Sequence, residues 1–318
     1  MHRSPFPRSV FSHALPGAVI AGAVAVVCTV LAGCSQEDSA SSSDTGTPDA
    51  HSAPVPAAAT LKRSELMALV FPGWEDKDAG RSGTVSLPDV GNDGKPVPGS
   101  EGDQKADVSP REVVRLDDTH AVMLTETVPL DDQGQPMDSH VAGAWLGAYF
   151  FEQGTDGWTL AKRNDAVDYQ GFMGNLGTTK VERIAPQRFV LTTTSGSCWQ
   201  GYCGSWFSVY ELGAGTVSTL AAGIPLSAEN AGTDEACEKV LQGEPPATPP
   251  NGGCFEVDGT PEFTLGTDDE PGEMRIVFGG SRTDSADASL QRVDSTTVYA
   301  YRKGAYVLTE GQNPVPSF

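Results

Sequence analysis

Gly143-Ala144-Trp145-Leu146-Gly147-Ala148-Tyr149 and, 61 residues further on, Gly204-Ser205-Trp206-Phe207-Ser208-Val209-Tyr210 align without a gap. Both stretches mix aromatic and small residues. The Trp and Tyr of each stand four apart, so in an extended chain they share one face. A Gly follows each Tyr at a fixed distance, in Tyr149/Gly154 and Tyr210/Gly215, and Tyr299/Gly304 repeats that spacing without the Trp. Upstream, Val122-Met123 and Val190-Leu191 each open a Thr-rich strand end. Each unit therefore reads as a strand, a turn, a Trp/Tyr strand, a Gly turn and a return strand.

Working outward, β signals continue from Glu112 to Leu308. Further strands are expected at Glu112–Asp117, His120–Val128, Trp158–Arg163, Lys180–Ile184, Arg188–Thr194, Glu273–Phe278, Thr296–Arg302 and Ala305–Leu308. They are rich in Val, Thr, Tyr, Phe and Trp and are separated by Gly- and Asp-bearing turns. Helical periodicity is confined to Thr233–Leu241 and to Leu61–Val70, a short N-terminal helix with Thr60 as cap and Leu66, Leu69 and Val70 on one face. The fold class is all-β. Its antiparallel sheet is built from two to three degenerate strand-hairpin repeats, as a curved sheet, a sandwich or a propeller-like array. Three copies fall short of the roughly four to eight blades of a propeller. Trp145, Tyr149, Trp206 and Tyr210 are expected in the core.

The chain begins with a different kind of sequence. His2, Arg3, Arg8 and His13 precede a 15-residue apolar run, Gly17 to Leu31, that closes on Leu31-Ala32-Gly33-Cys34. A basic start, an apolar centre and a small-residue cleavage site make a signal peptide over 1–33, and the run is shorter than the roughly 20 residues of a membrane span. The tetrapeptide resembles the lipobox of bacterial lipoproteins. That resemblance implies a lipid on Cys34, removal of the peptide before it, and a palmitate-bearing anchor in the cell envelope. Ser35, rather than Asp, resembles the outer-membrane pattern of Gram-negative lipoproteins, facing periplasm or surface. In a cell with one membrane the protein belongs on its outer face.

Residues 34–59 are Ser-, Ala-, Asp- and Pro-rich, with Val55 the one large apolar side chain, and are expected to be a disordered tether. Residues 60–318 make one β-rich domain. Within it 76–110, with six glycines and four prolines, has loop chemistry and is expected to be a flexible segment.

The chain holds 42 acids against 21 bases, a formal charge of −21. Removing a leader that carries Arg3 and Arg8 and no acid leaves 19 bases, and −23. Such a surface argues against nucleic acid, whose binding needs Lys and Arg on phosphates. It suits a solvated surface, or a cationic partner steered in by the field.

With Cys28 in the leader and Cys34 lipidated, Cys198, Cys203, Cys237 and Cys254 remain, an even number in an exported protein. Four cysteines allow three pairings. Nearest neighbours are favoured, because Cys198 and Cys203 enclose a turn-sized Trp199-Gln200-Gly201-Tyr202 and Cys237 and Cys254 flank Pro-rich chain that makes no regular structure. The spacing lacks the Cys-x2-Cys pairs and histidines of a zinc site.

Enzyme signatures are sparse. No Gly-x-Ser-x-Gly elbow, His-Glu-x-x-His motif or phosphate loop occurs. His120, after Asp117-Asp118-Thr119, reads as part of a turn, as do Asp76-Lys77-Asp78 and Asp131-Asp132-Gln133-Gly134. No catalytic residue, metal or cofactor is assigned. The best candidate site is Trp199 and Tyr202: either the bridge presents both rings at a rigid tip, or they fold back onto the domain beside Trp206. The expectation is a membrane-anchored, non-catalytic envelope lipoprotein that binds another macromolecule in an inhibitor, immunity or assembly role. The rival readings are a hydrolase of cell-wall glycan or peptide using a carboxylate pair, and a structural envelope module.

Overall fold

The computed structural model describes residues 56–75, 81–92, 94–286 and 289–317. The leader, Cys34 and tether residues 34–55 lie outside them. Two antiparallel sheets make up the domain. The first is a five-stranded meander of β1 (Arg81–Leu87), β2 (Gly102–Arg115), β3 (His120–Pro129), β4 (Ala144–Gly154) and β5 (Gly157–Gln170). The second is an eight-stranded meander of β6 (Thr178–Ala185), β7 (Arg188–Trp199), β8 (Tyr202–Gly213), β9 (Thr216–Glu229), β10 (Phe255–Phe263), β11 (Met274–Arg282), β12 (Gln291–Arg302) and β13 (Ala305–Glu310). Two short helices, α1 (Arg63–Val70) and α2 (Glu235–Leu241), complete it. No helix among the described residues is long and apolar enough to cross a membrane.

The repeat is real as sequence and as hairpins. Its units are β3–β4–β5, β7–β8–β9 and β11–β12–β13. After each Tyr the strand runs into a two-residue turn, closed by Gly154↔Gly157, Gly213↔Thr216 and Arg302↔Ala305. The units are not blades, however. They merge into two continuous meanders, and the equivalent tyrosines enter three different cores.

Alternation of side chains along each strand builds those cores. In β4, Trp145, Tyr149 and Phe151 face inward with α1 residues Leu66, Met67 and Val70. The other face of the same strand, Ala144, Leu146, Ala148 and Phe150, packs against Leu191, Tyr210 and Leu212 of the second sheet. The inner face of that sheet buries Phe207, Val209, Ile276, Phe278 and Tyr299. Trp145, Tyr149 and Tyr210 are thus core, as expected, while Trp206 stays half-buried against Phe172, ring centroids 5.6 Å apart.

The first sheet curls until its outer strands meet. Arg163 of β5 donates to the Thr84 carbonyl at 2.6 Å, and Ser86 N donates to Asp165 at 2.9 Å. Asp165 also accepts from the Tyr149 hydroxyl at 2.7 Å and from Arg163 Nε. Burial, then the Asp165 charge, push the Tyr149 phenol upward. The hydroxyl is therefore a permanent donor, and side chains close the curl where no ladder does. Tyr210 makes the matching bond to Asp168 at 2.6 Å across the sheet interface.

Three expectations are corrected. Residues 81–87 and 102–110, read as loop, are β1 and the start of β2, paired in register from Arg81↔Val108 to Leu87↔Gly102. Long-range pairing overrides the local Gly and Pro content. Helix α1 starts at Arg63 with Lys62 at its N-cap, and Met67 takes the buried face with Leu66 and Val70 while Leu69 is half-buried. Thr60 is tied instead by its backbone N–H to Glu65, at 2.8 Å. Ala58, within the span read as tether, is buried and exchanges two 2.8 Å backbone bonds with Trp158.

Candidate interaction site at the stapled hairpin

Strands β7 and β8 pair along their whole length and end on Cys198↔Cys203 and Trp199↔Tyr202. Gln200 (φ 50°) and Gly201 (φ 87°) make the turn, both with positive φ, which matches the twist of a two-residue hairpin. Gly is required at 201: a Cβ there would lie 2.4 Å from the Gly232 carbonyl. The turn therefore rests directly on the 3-10 turn Ala231–Thr233. The bridge Cys198–Cys203 is present, with Cα atoms 4.0 Å apart, and so is Cys237–Cys254.

The second bridge backs the first. Asn230 is buried; its amide donates to the Gly253 carbonyl at 2.9 Å, and its Oδ1 accepts from Phe255 N at 2.8 Å. Asp234 caps α2 by accepting from Cys237 N at 2.7 Å. Cys254 in turn exchanges bonds with Thr283. The Pro-rich chain between Cys237 and Cys254 is thereby tied to the end of the second sheet where the hairpin lies.

Trp199 is 61% exposed and Tyr202 38% exposed. Neither folds back onto Trp206. Trp199 leans on His140 at 5.2 Å between ring centroids, and Tyr202 on Phe255 at 6.3 Å. The result is a row of four rings, His140, Trp199, Tyr202 and Phe255. Beside it runs a groove of about 670 Å³ lined by Trp199, Tyr202, Asn230, Gly252, Gly253, Phe255 and, from the C-terminal segment, Ser317. Sequence reading found the two hairpin rings but not His140, which the β3–β4 loop brings alongside, or Phe255, which the register of β10 on β9 brings there.

The row stands at the end of the domain away from the chain's entry. Ala58 joins at Trp158, beside the β4–β5 turn, and farther along β5 Lys162 donates to the Gly215 carbonyl of the β8–β9 turn at 2.8 Å. Strand β8 then separates that turn from the stapled hairpin, a distance of roughly 35–40 Å for a strand of this length.

Of the other sequence candidates, Asp117 and Asp131 close turns, while Asp76, Lys77 and Asp78 lie outside the described residues. Asp117 accepts from the backbone N–H groups of Thr119 and His120 at 2.7 and 2.8 Å, and from His120 Nδ1. These bonds, Thr119 N–H foremost, hold its carboxyl down at about 2. Asp131 similarly closes its turn on Gln133 N and Gln135 N. Among the described residues no group of three or more His, Cys, Asp or Glu is arranged to hold a metal ion. Asp107 and Glu126 interact as a partly buried pair of carboxylates. Burial first, and Glu126 second, raise the Asp107 carboxyl. Glu126 is engaged by Arg111 and by Leu176 N at 2.7 Å, which ties down the chain after β5. Neither lines the groove at the hairpin.

Compared with family models, with curated proteins and with solved structures, the chain matches none.

Proposed function

We propose that this protein is a membrane-anchored, non-catalytic lipoprotein of the cell envelope whose stapled β domain binds another macromolecule, as an inhibitor, immunity or assembly factor. The observation that carries the reading is the exposure of Trp199, 61%, on a turn held by a disulfide and by the 3-10 turn beneath it. Large aromatics that lose little freedom on association dominate protein interfaces. A ring whose packing serves the fold has no need of such exposure. A lipid on Cys34 supplies the anchor, and the tether from it reaches the domain at Ala58, the end opposite the rings, so the anchored end and the contact end are separate.

Photo-crosslinking in intact producing cells tests this, with a reactive residue at position 199 and mass spectrometry of the adduct. One dominant envelope or imported protein is expected. Correct export and lipidation without any adduct contradicts the proposal.

A further inference from the structure

The groove beside the ring row has a neutral lining. Trp199, Tyr202, Phe255, Asn230 and two glycines carry no charge, and the remaining wall is Ser317. Such a surface suits an uncharged aromatic or aliphatic side chain. Tyr202 and Phe255 both have partners within the chain, so the occupant is sought first in the chain itself. Ser317 reaches the groove along a fixed path. After β13 the chain turns at Gly311 (φ 79°), where a Cβ would collide with the Thr296 carbonyl. Asn313 Nδ2 then donates to the Pro225 carbonyl of β9 at 2.8 Å, and its Oδ1 accepts from Val315 N at 2.9 Å. The Arg282 guanidinium donates to the Pro314 carbonyl at 3.3 Å, and Val315 packs on the inner core of the second sheet. Pro314 and Pro316 fix φ on either side of Val315, so the segment has little freedom left to lose.

The described residues stop at Ser317, and the next residue is Phe318. Its Cα follows that of Ser317 by about 3.8 Å, at the wall of the groove. We infer that the Phe318 ring seats in the groove against Tyr202 and Phe255 when no partner is bound. Removal of an apolar ring from water drives the seating, and contact with other aromatic rings favours it. The segment from Gly311 to Ser317 is then an arm pinned at Asn313, Pro314 and Val315, with Phe318 as its stopper. A partner that enters the groove competes with that stopper. This inference goes beyond the binding role proposed above and does not depend on it.

The test places p-benzoylphenylalanine at position 318 of the full-length chain, irradiates it in detergent micelles and maps the adduct by mass spectrometry. The expected product is intramolecular, on residues 199–202 or 252–255, with a yield unchanged on dilution. Because the benzoyl group is bulkier than the natural ring, a second readout uses Phe318 itself. With the indole nitrogens labelled, Phe318→Ala should move the Trp199 resonance, and Phe318→Leu, which keeps an apolar side chain, should move it less. Adducts elsewhere, only between chains or not at all overturn the inference. A Trp199 resonance unmoved by Phe318→Ala overturns it as well. Neither result bears on a crosslink from position 199 to another protein, which reads the binding role separately.

Discussion

In β4, Trp145 is 2% exposed and Tyr149 is wholly buried with its hydroxyl on Asp165; at the stapled turn, Trp199 is 61% exposed and Tyr202 38%. The residue types are the same and the surroundings are opposite. Trp145 and Tyr149 lie on a central strand with an apolar layer on each face, so the sheet is built around them. Trp199 and Tyr202 are held from behind, by a disulfide, a positive-φ glycine and a second bridged loop, with His140 and Phe255 against their rings. Backbone and covalent constraint fix the tip, where the Trp199 ring is 61% exposed.

The comparison breaks first at Trp145. Trp145→Ala should cost about 3–5 kcal/mol of folding stability, measured by denaturant unfolding, because the ring leaves a cavity in a packed core. A loss below that range would mean that the first sheet tolerates a hole, and the contrast would weaken. Replacing Cys198 and Cys203 together by Ser should cost about 2 kcal/mol, since the loop they close is short. The same variant should loosen the tip and release more affinity than stability, which calorimetry and crosslinking yield read separately.

Carboxylates sharpen the same division between interior and rim. Asp107 has a buried Oδ1 with no hydrogen-bond partner, and its folded pKa lies above 3.8. The folded state thus favours the proton. Its contribution to stability is complete below pH 3.8 and falls as the pH rises through the raised value. Asp107→Asn should remove that slope and leave the variant more stable than the parent at neutral pH. Unfolding midpoints measured across the acid range check the sign.

Legibility of the fold in the sequence followed locality. The Trp/Tyr repeats and their following glycines mark β4, β8 and β12, because a strand feeding a two-residue turn is a local signal. β9 was foreseen only as the repeat's return strand, without bounds, and β10 escaped notice, since Gly223 and Pro225 interrupt one and Gly259 and Pro261 the other. β9 absorbs the interruption in bulges against β8, and Pro261 lies beyond the three residues where β10 meets β9. β1 was hidden for a similar reason, its pairing with β2 being written in the partner strand. At the site, Cys198, Trp199, Tyr202 and Cys203 were visible as one motif. His140 joins them from the β3–β4 loop and Phe255 through the register of β10, and no periodicity announces such a neighbour.

The smallest expected effect is also the most direct test. Trp199→Ala in the full-length chain should leave the denaturant midpoint within about 0.5 kcal/mol of the parent, as for surface residues clear of structural features. That result would show that the exposed ring is held for contact rather than for folding. A loss approaching that of Trp145→Ala would contradict the account, making Trp199 one more structural aromatic and the stapled turn a piece of the scaffold.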